Sequence, residues 1–267
     1  MSHKGLTAMP CVTASRMFLA SLALAALCWP GSPAHAADCS GTEAKSGRVT
    51  QVRDGRTLML ADGREVRLAG IEVPAAGTQA GAAARDALAA LIRDREVQLR
   101  TAGATDRYGR TVAFAFAGAQ MVQSDMIASG HALAGGRIAD AGCLDVLRKA
   151  EHAARERKRG LWAGGEFRLQ SADNPSDILQ GAGTFRVVRG KVLSVRESGA
   201  TIYVNFGRRW SDDFTVTILK RNRRLFVAAG MDPKTLESRT VDVRGYVERR
   251  GGPLIEAERP EQIEIVN

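Results

Sequence analysis

The sequence predicts an α+β fold that is mainly β, with two small β-barrels in tandem. Before residue 70, short alternating apolar runs are separated by the turn dipeptides Asp54-Gly55 and Asp62-Gly63, which predicts a three-stranded antiparallel meander. Residues 183–267 contain five strand-like runs with one helix after the third, which is compatible with a small closed barrel of the OB type, although a β-sandwich gives the same pattern. Both halves also begin with Gly-x-Val-x-x-Val, at Gly47 and Gly190, which is consistent with two related barrels.

The remaining elements follow from apolar periodicity. An Ala-rich segment carries Ala84, Leu88 and Leu91 at helical spacing, and Gly160 ends the last helix of the first half. In the first half we expect helices over residues 78–93, 122–128 and 139–159, and strands over residues 97–99 and 111–116. In the second half we expect strands over residues 185–195, 201–206, 214–219, 241–247 and 253–264, and a helix over residues 223–229.

The first 36 residues have the features of a secretory signal peptide. Lys4 and Arg16 precede a short apolar run at residues 17–28, and the small-residue site Ala34-His35-Ala36 follows it. The run is about 12 residues long, and spanning a bilayer takes about 18 or more, so we expect no stable membrane anchor. We therefore expect an exported protein, periplasmic or extracellular, with a first domain at residues 37–163, a linker at 164–182 and an OB-like β domain at 183–267.

Composition narrows the class of protein without fixing its function. The 267 residues are 45% hydrophobic and 25% charged, which is typical of a soluble globular protein and excludes a disordered chain. Lys and Arg outnumber Asp and Glu by 38 to 29, which gives a formal charge of +9. This charge favours an acidic partner such as nucleic acid or a membrane surface, and does not choose between them.

Two of the four cysteines remain after export. Cys11 and Cys28 leave with the signal peptide, so Cys39 and Cys143 are a single pair in a compartment that permits oxidation. We expect a Cys39–Cys143 disulfide, the alternative being two unrelated thiols. The sequence contains no Cys/His spacing typical of a metal site, so no cofactor is expected from these residues.

Several motifs of the first domain resemble those of a known family. Residues 52–57 read Val-Arg-Asp-Gly-Arg-Thr, residues 66–74 read Val-Arg-Leu-Ala-Gly-Ile-Glu-Val-Pro, and residues 106–110 read Asp-Arg-Tyr-Gly-Arg. Residues 150–155 and the sequence Gly-Leu-Trp at 160–162 are similar to a closing helix. In this order and spacing, the motifs resemble the staphylococcal nuclease (thermonuclease) family. The C-terminal pattern also looks like a companion domain found behind nuclease-like domains in some exported bacterial proteins.

The resemblance implies a five-stranded OB barrel with three helices that binds a phosphodiester of DNA or RNA beside a calcium ion. In that family two arginines stabilise charge on the phosphoryl oxygens, and they match Arg67 and Arg110 here. A planar guanidinium donates to two phosphate oxygens at once, so these side chains are expected to clamp a phosphate.

The metal and base positions of the family are not retained. Arg56 stands at the first ligand position, after Asp54-Gly55, and Glu72 replaces a loop aspartate. Ala75 stands at the general-base position directly after Pro74. We therefore expect a metal-free cradle of Arg56, Arg67 and Arg110, an ion pair between Arg56 and Glu72 with Asp54 nearby, and little or no hydrolysis. If the site is active, Glu72 is the calcium ligand that remains.

Aromatic residues beside cations suggest further nucleic-acid contacts. Tyr108 lies within the 106–110 motif, and Tyr203 and Trp210 accompany Arg208 and Arg209 in the second half. Bases stack on such rings while cations follow the phosphate backbone. The alternative is ordinary structure, with Ile202, Val204 and Phe206 in the core.

Three functions remain open. The first is an exported protein of nuclease fold that binds nucleic acid or another phosphodiester with a degenerate hydrolytic site. The second is an active phosphodiesterase with a variant site built from Asp54, Glu72 and Asp106. The third is a non-enzymatic envelope adaptor that uses both barrels for protein contacts.

Overall fold

The computed structural model describes residues 39, 41–101, 105–138, 140–209 and 211–266. The predicted signal peptide at residues 1–36 and the predicted contact residue Trp210 lie outside the described residues. Within them, no helix has the length and apolar character needed to cross a membrane.

The first half forms a closed five-stranded barrel. Strands β3, β2, β1, β5 and β6 pair in that order, and a parallel pairing of β3 with β6 closes the ring. β7 continues from β6 as a hairpin, and β4 pairs with β8 beside the barrel. The strands are β1 (Thr42–Asp54), β2 (Thr57–Leu60), β3 (Glu65–Leu68), β4 (Ile71–Glu72), β5 (Glu96–Thr101), β6 (Thr111–Ala117), β7 (Gln120–Met121) and β8 (Leu133–Ala134).

Three helices cover this barrel, as predicted: α1 (Gln79–Ile92), α2 (Val122–Ala128) and α3 (Ala141–Glu156). The Thr78 hydroxyl caps α1 by accepting a hydrogen bond from the Gly81 N–H. A Cβ at position 81 would lie 2.1 Å from the Ala75 carbonyl oxygen, so glycine lets α1 begin directly against the chain that follows Pro74. This packing fixes the backbone beside the predicted site.

A disulfide joins Cys39 to Cys143 in the first turn of α3. Both residues are buried in the core of the first barrel. The bond ties the chain just before β1 to the helix that ends this domain.

The second half forms a barrel with the same strand order. β12 pairs with β11 and β13, β13 pairs in parallel with β15, and β15 pairs with β14, which pairs with β10. Val192 and Leu193 alone separate β10 from β11, so the two segments act as one bent first strand. The elements are β9 (Leu169–Ser171), α4 (Pro175–Gln180), β10 (Phe185–Lys191), β11 (Ser194–Ser198), β12 (Thr201–Asn205), β13 (Thr215–Leu219), α5 (Arg223–Ala228), β14 (Thr240–Arg250), β15 (Gly252–Glu256) and β16 (Ile263–Val266).

The two barrels share their topology. In each, the third and fifth strands are parallel neighbours, and a helix lies between the third and fourth strands. The predicted α+β, mainly β architecture with two barrels in tandem is confirmed, and the repeated Gly-x-Val-x-x-Val lies in the first strand of each barrel.

The predicted linker at residues 164–182 is partly structured. Its residues Leu169–Ser171 form β9, which pairs in parallel with β10, and α4 buries Ile178 in the second core. A three-residue strand is too short to show a period, and its Gly, Ser, Asn and Pro neighbours are typical of a loop. The linker therefore contains one strand, β9, that the sequence did not predict.

The barrels contact each other through a buried polar network between α3 and the second barrel. Arg244 on β14 and Glu151 on α3 both have side chains with 0% exposure, and their Nη1 and Oε2 atoms lie 3.1 Å apart. Arg244 Nη1 also donates to the Ala134 carbonyl at 2.9 Å, and Glu151 accepts from the Ala134 N–H at 2.6 Å. Burial lowers the pKa of Arg244, but the carboxylates of Glu151 and Glu264 outweigh burial and raise it.

Candidate functional site

Strand pairing brings the three predicted arginines to one end of the first barrel. Arg67 on β3 lies opposite Thr57 of β2 and opposite Val112 of β6. Arg56 directly precedes the first of these neighbours, and Arg110 lies two residues before the second. The cluster therefore depends on β3 being flanked on both sides, which requires the closed barrel.

Arg56 is held by Glu72. Its Nη1 donates to Glu72 Oε2 in a close ion pair, and it also lies 3.5 Å from the Ile71 carbonyl oxygen. Both side chains are mostly buried, with 18% and 19% exposure. Asp54 lies beside this pair, where its Oδ1 accepts the Arg56 backbone N–H at 2.8 Å and so caps the turn into β2.

Arg110 is held by Asp106 within the same five-residue motif. Its Nη2 and Nε lie 2.7 and 2.8 Å from Asp106 Oδ2, while Oδ1 accepts the backbone N–H groups of Tyr108 and Arg110. Asp106 therefore caps the turn before β6 with Oδ1 and holds the Arg110 guanidinium with Oδ2. The exposed Tyr108 ring covers this pair, with the guanidinium carbon of Arg110 5.0 Å from the ring centroid.

The hydrogen bond from Arg110 lowers the pKa of Asp106 to about 2, from an ordinary 3.8. A carboxyl whose pKa is lowered by folding stabilises the fold above its unfolded pKa, and this stabilisation disappears as the pH falls toward the folded pKa. We expect wild type to be more stable than Asp106→Asn at pH 7 and the difference to shrink between about pH 4 and pH 2. Urea unfolding over this pH range checks it, and a difference that stays constant down to pH 2 would contradict the assignment.

Arg67 differs from its two neighbours. Within the described residues, its side chain has no ion pair and no hydrogen bond, whereas Arg56 and Arg110 each hold a carboxylate. Burial, and then the positive charge of Arg56, lower the pKa of Arg67. The predicted cradle of three available arginines is therefore corrected to one available guanidinium flanked by two that are already paired.

The second barrel adds a residue that the sequence analysis missed. Tyr246 on β14 donates its hydroxyl to Glu72 Oε2 at 2.9 Å, and its ring contacts Phe185 edge-on at 5.6 Å. Burial, and then the charge of Glu72, raise the pKa of Tyr246. Strand alternation exposes Tyr246 on the outside of its barrel, but no sequence signal shows that this outer face meets the first barrel.

A cavity of about 510 Å³ lies beside Arg67, between the two barrels. The first barrel contributes the backbone from Arg67 to Glu72, and the second contributes β14 and β15, including Tyr246 and Glu256. This volume lies in the range of pockets that hold small ligands.

The predicted general-base position offers no acid–base group. The Ala75 carbonyl accepts hydrogen bonds from the Thr78 backbone N–H and hydroxyl, so its backbone serves the start of α1. The next carboxylate along the chain, Asp86, lies on α1. In the described part of the chain, three potential metal-ligand atoms converge at Cys39, Asp140 and Cys143, where the two sulfurs form the disulfide.

Tyr203 lies away from the arginine cluster, in a second groove of about 960 Å³ that shares Glu256 with the cavity beside Arg67. It is 36% exposed on β12, while Ile202 and Val204 point into the core. Asn205, Thr215 and Thr217 line the same groove. The structure therefore does not bring Tyr203 together with Tyr108 or Arg67 in one site.

A closed five-stranded barrel with three helices, and with clustered arginines at and beside its parallel third and fifth strands, is the arrangement that the sequence resemblance implied. A family model described as staphylococcal nuclease homologue matches residues 65–164, which include Arg67, Glu72, Ala75 and Arg110 but not Arg56. Residues 65–164 of this chain are therefore similar to the staphylococcal nuclease family.

One curated relative supports the same assignment. The chain is 34% identical over 99 residues to a protein of Oryza sativa subsp. japonica named probable staphylococcal-like nuclease CAN4. The matched region covers 37% of this chain and 19% of that relative. This chain therefore matches about a fifth of that relative's length.

Proposed function

We propose that this chain is an exported protein that binds a phosphate group of nucleic acid or of another phosphodiester at Arg67, and that it lacks calcium-dependent hydrolysis. The observation that carries the proposal is the Arg67 guanidinium, which has no partner in the described residues and lines a cavity. Glu72 and Asp106 balance the charges of Arg56 and Arg110, so the charge of Arg67 leaves the cluster positive, which favours an anion. Phosphate oxygens accept paired hydrogen bonds from such a planar group.

The donor set beside Arg67 does not fit a calcium ion. Calcium requires several oxygen ligands, and Glu72 already accepts from Arg56 and Tyr246. A guanidinium about 4 Å from an ion repels each positive charge by about 4 kcal/mol at an effective dielectric constant of about 20. Without a carboxylate after Pro74, the site also lacks a general base, typically worth about 10² to 10⁴ in rate.

The disulfide supports the export part of the proposal. Cys39 and Cys143 are joined, and such bonds persist in oxidising compartments. Together with the predicted signal peptide, this favours a periplasmic or extracellular location.

We expect Arg67→Ala to weaken binding of a 5′-phosphorylated single-stranded oligonucleotide by about 10- to 100-fold. Hydrogen bonds to charged groups contribute about 1.5 to 3 kcal/mol, and 1.4 kcal/mol is a factor of ten. Fluorescence polarisation with a 3′-fluorescein label measures the loss, and affinity should fall as salt rises. The matched control is Arg221→Ala, which removes an exposed arginine of the second barrel and should change affinity little.

Two results would overturn the proposal. The first is equal affinity of wild type and Arg67→Ala for the oligonucleotide. The second is calcium-dependent cleavage of single-stranded DNA by wild type that Arg67→Ala abolishes, which would establish an active phosphodiesterase.

A further inference from the structure

The cavity beside Arg67 is bipolar. At the end formed by the first barrel, the charge of Arg67 is in excess, because Arg56 and Arg110 are paired with Glu72 and Asp106. The second barrel lines the cavity with three carboxylates, those of Glu248, Glu256 and Glu258. An anion is therefore attracted at one end of the cavity and repelled at the other.

Ion pairs balance two of these three carboxylates. Glu258 lies 2.6 Å from Arg137 Nη2, and Glu248 lies 3.0 Å from Arg250 Nη2. The carboxylate of Glu256 has no ion pair or hydrogen bond among the described residues, and Arg67 likewise has none. The cavity thus contains one unpaired cation and one unpaired anion, contributed by different barrels.

Tyr246 makes the second barrel part of the phosphate end as well. Its hydroxyl binds Glu72, the carboxylate that also holds Arg56, and its ring lines the cavity. The second barrel therefore forms part of the wall of the cavity that contains Arg67.

At an internal phosphodiester, the nucleic-acid chain continues on both sides of the phosphate, so a bound strand must enter and leave the cavity. Every nucleotide of the chain adds a negatively charged phosphate, so a strand that continued through this cavity would bring further phosphates toward the carboxylates. At a terminal phosphate, the nucleotide is attached on one side only, so the rest of the ligand leaves the site in a single direction. A ligand that ends in the cavity can instead present hydrogen-bond donors, such as the amino group of a base, to Glu256.

We propose that the second barrel makes the Arg67 site selective for a terminal phosphate monoester of nucleotide size and excludes internal phosphodiesters. This inference rests on the proposed binding of phosphate at Arg67. It assigns Tyr246 and the three carboxylates to ligand selection, a role for the second barrel that its fold alone does not indicate.

The test compares single-stranded DNA ligands of one sequence that differ in their ends. The probes are a circular 20-mer, linear 20-mers with a 5′-phosphate, a 3′-phosphate or hydroxyl ends, and a nucleoside monophosphate as competitor. We expect at least one phosphorylated end to bind at least 10-fold more tightly than the circle, and the monophosphate to displace it. For each probe, the quantity compared is the difference in affinity between wild type and Arg67→Ala, because other basic residues of the surface also attract DNA non-specifically.

A pair of triple variants tests whether the cavity carboxylates exclude internal phosphodiesters. The triple variant Glu248→Gln, Glu256→Gln, Glu258→Gln should raise affinity for the circle at least 10-fold and change affinity for the monophosphate less. The control triple variant Glu166→Gln, Asp173→Asn, Asp212→Asn makes the same change in net charge at exposed positions outside the cavity lining. Thermal unfolding of both variants verifies that they are folded.

The outcomes separate this inference from the proposed function. If circular and end-phosphorylated DNA bind equally and both depend on Arg67, terminal selection is wrong and phosphate binding stands. If both triple variants change circle binding equally, the effect is general charge and selection by the cavity wall is wrong. If no probe binds in an Arg67-dependent manner, the proposed function itself fails.

Discussion

Arg244→Met is expected to lower the free energy of unfolding by about 3 to 5 kcal/mol, the usual cost of removing one partner from a buried ion pair. The substitution leaves the carboxylate of Glu151, which has 0% exposure, without its guanidinium. It also removes the hydrogen bond from Arg244 to the Ala134 carbonyl. Urea unfolding at neutral pH measures the loss as a shift in the transition midpoint.

A second variant distinguishes pairing from packing. In Arg244→Met with Glu151→Leu, both charges are gone, and replacing a whole buried pair with apolar residues is often close to neutral, so much of the stability should return. The matched control is Arg137→Met, which removes an exposed cation from another pair between the barrels and should cost less than about 1 kcal/mol. A loss below about 1 kcal/mol for Arg244→Met alone would show that the buried pair does not hold the barrels together.

The same variant tests whether the site depends on the contact between the barrels. Arg244 lies two residues before Tyr246 on β14, so the buried pair fixes the strand that carries the hydroxyl to Glu72. Loss of the pair would therefore alter ligand selection even where the first barrel stays folded. This connects the energetics of the interface to the chemistry of the cavity.

Local sequence signals predicted the first barrel and much of its arginine cluster. Turn dipeptides and alternation set the strands around Arg67, and closure of the barrel then determined which loops meet it. The pairing of Arg56 with Glu72 was expected because a cation and a carboxylate at neighbouring positions neutralise each other. These are short-range rules, and they apply within one domain.

The site and interface residues that the sequence did not predict lie where the two domains meet. Arg244 sits in an alternating strand as a charged residue and would be assigned to solvent, yet it is buried because Glu151 of the other domain faces it. Tyr246 and Glu256 reach the cavity because the outer face of the second barrel packs on the first. No local pattern encodes which outer faces meet, so the carboxylate wall was not predictable from one sequence.

Replacing both Cys39 and Cys143 with serine is expected to lower the free energy of unfolding by about 2 to 5 kcal/mol. The bond closes a loop with a sequence separation of 104, and the chain-entropy treatment gives about 4.7 kcal/mol for a loop of about 100 residues. Both sulfurs also lie in the core of the first barrel, so serine places two hydroxyls among apolar side chains. Urea unfolding of the chain beginning at Ala37, with and without a reductant, measures the effect.

Measurements with and without the reductant distinguish the stability lost with the disulfide from the stability lost through the serine substitutions. Wild type should lose stability on reduction, whereas the double serine variant should unfold identically in both conditions, and any remaining gap between reduced wild type and the variant measures the buried hydroxyls alone. Thiol titration connects this result to the proposed export, because protein recovered from an oxidising compartment should contain no free thiol after Ala37 and protein made in a reducing one should contain two. Free thiols in the exported protein, or a stability that reduction leaves unchanged, would mean that the bond contributes nothing to the fold and that the argument from cysteine to compartment fails.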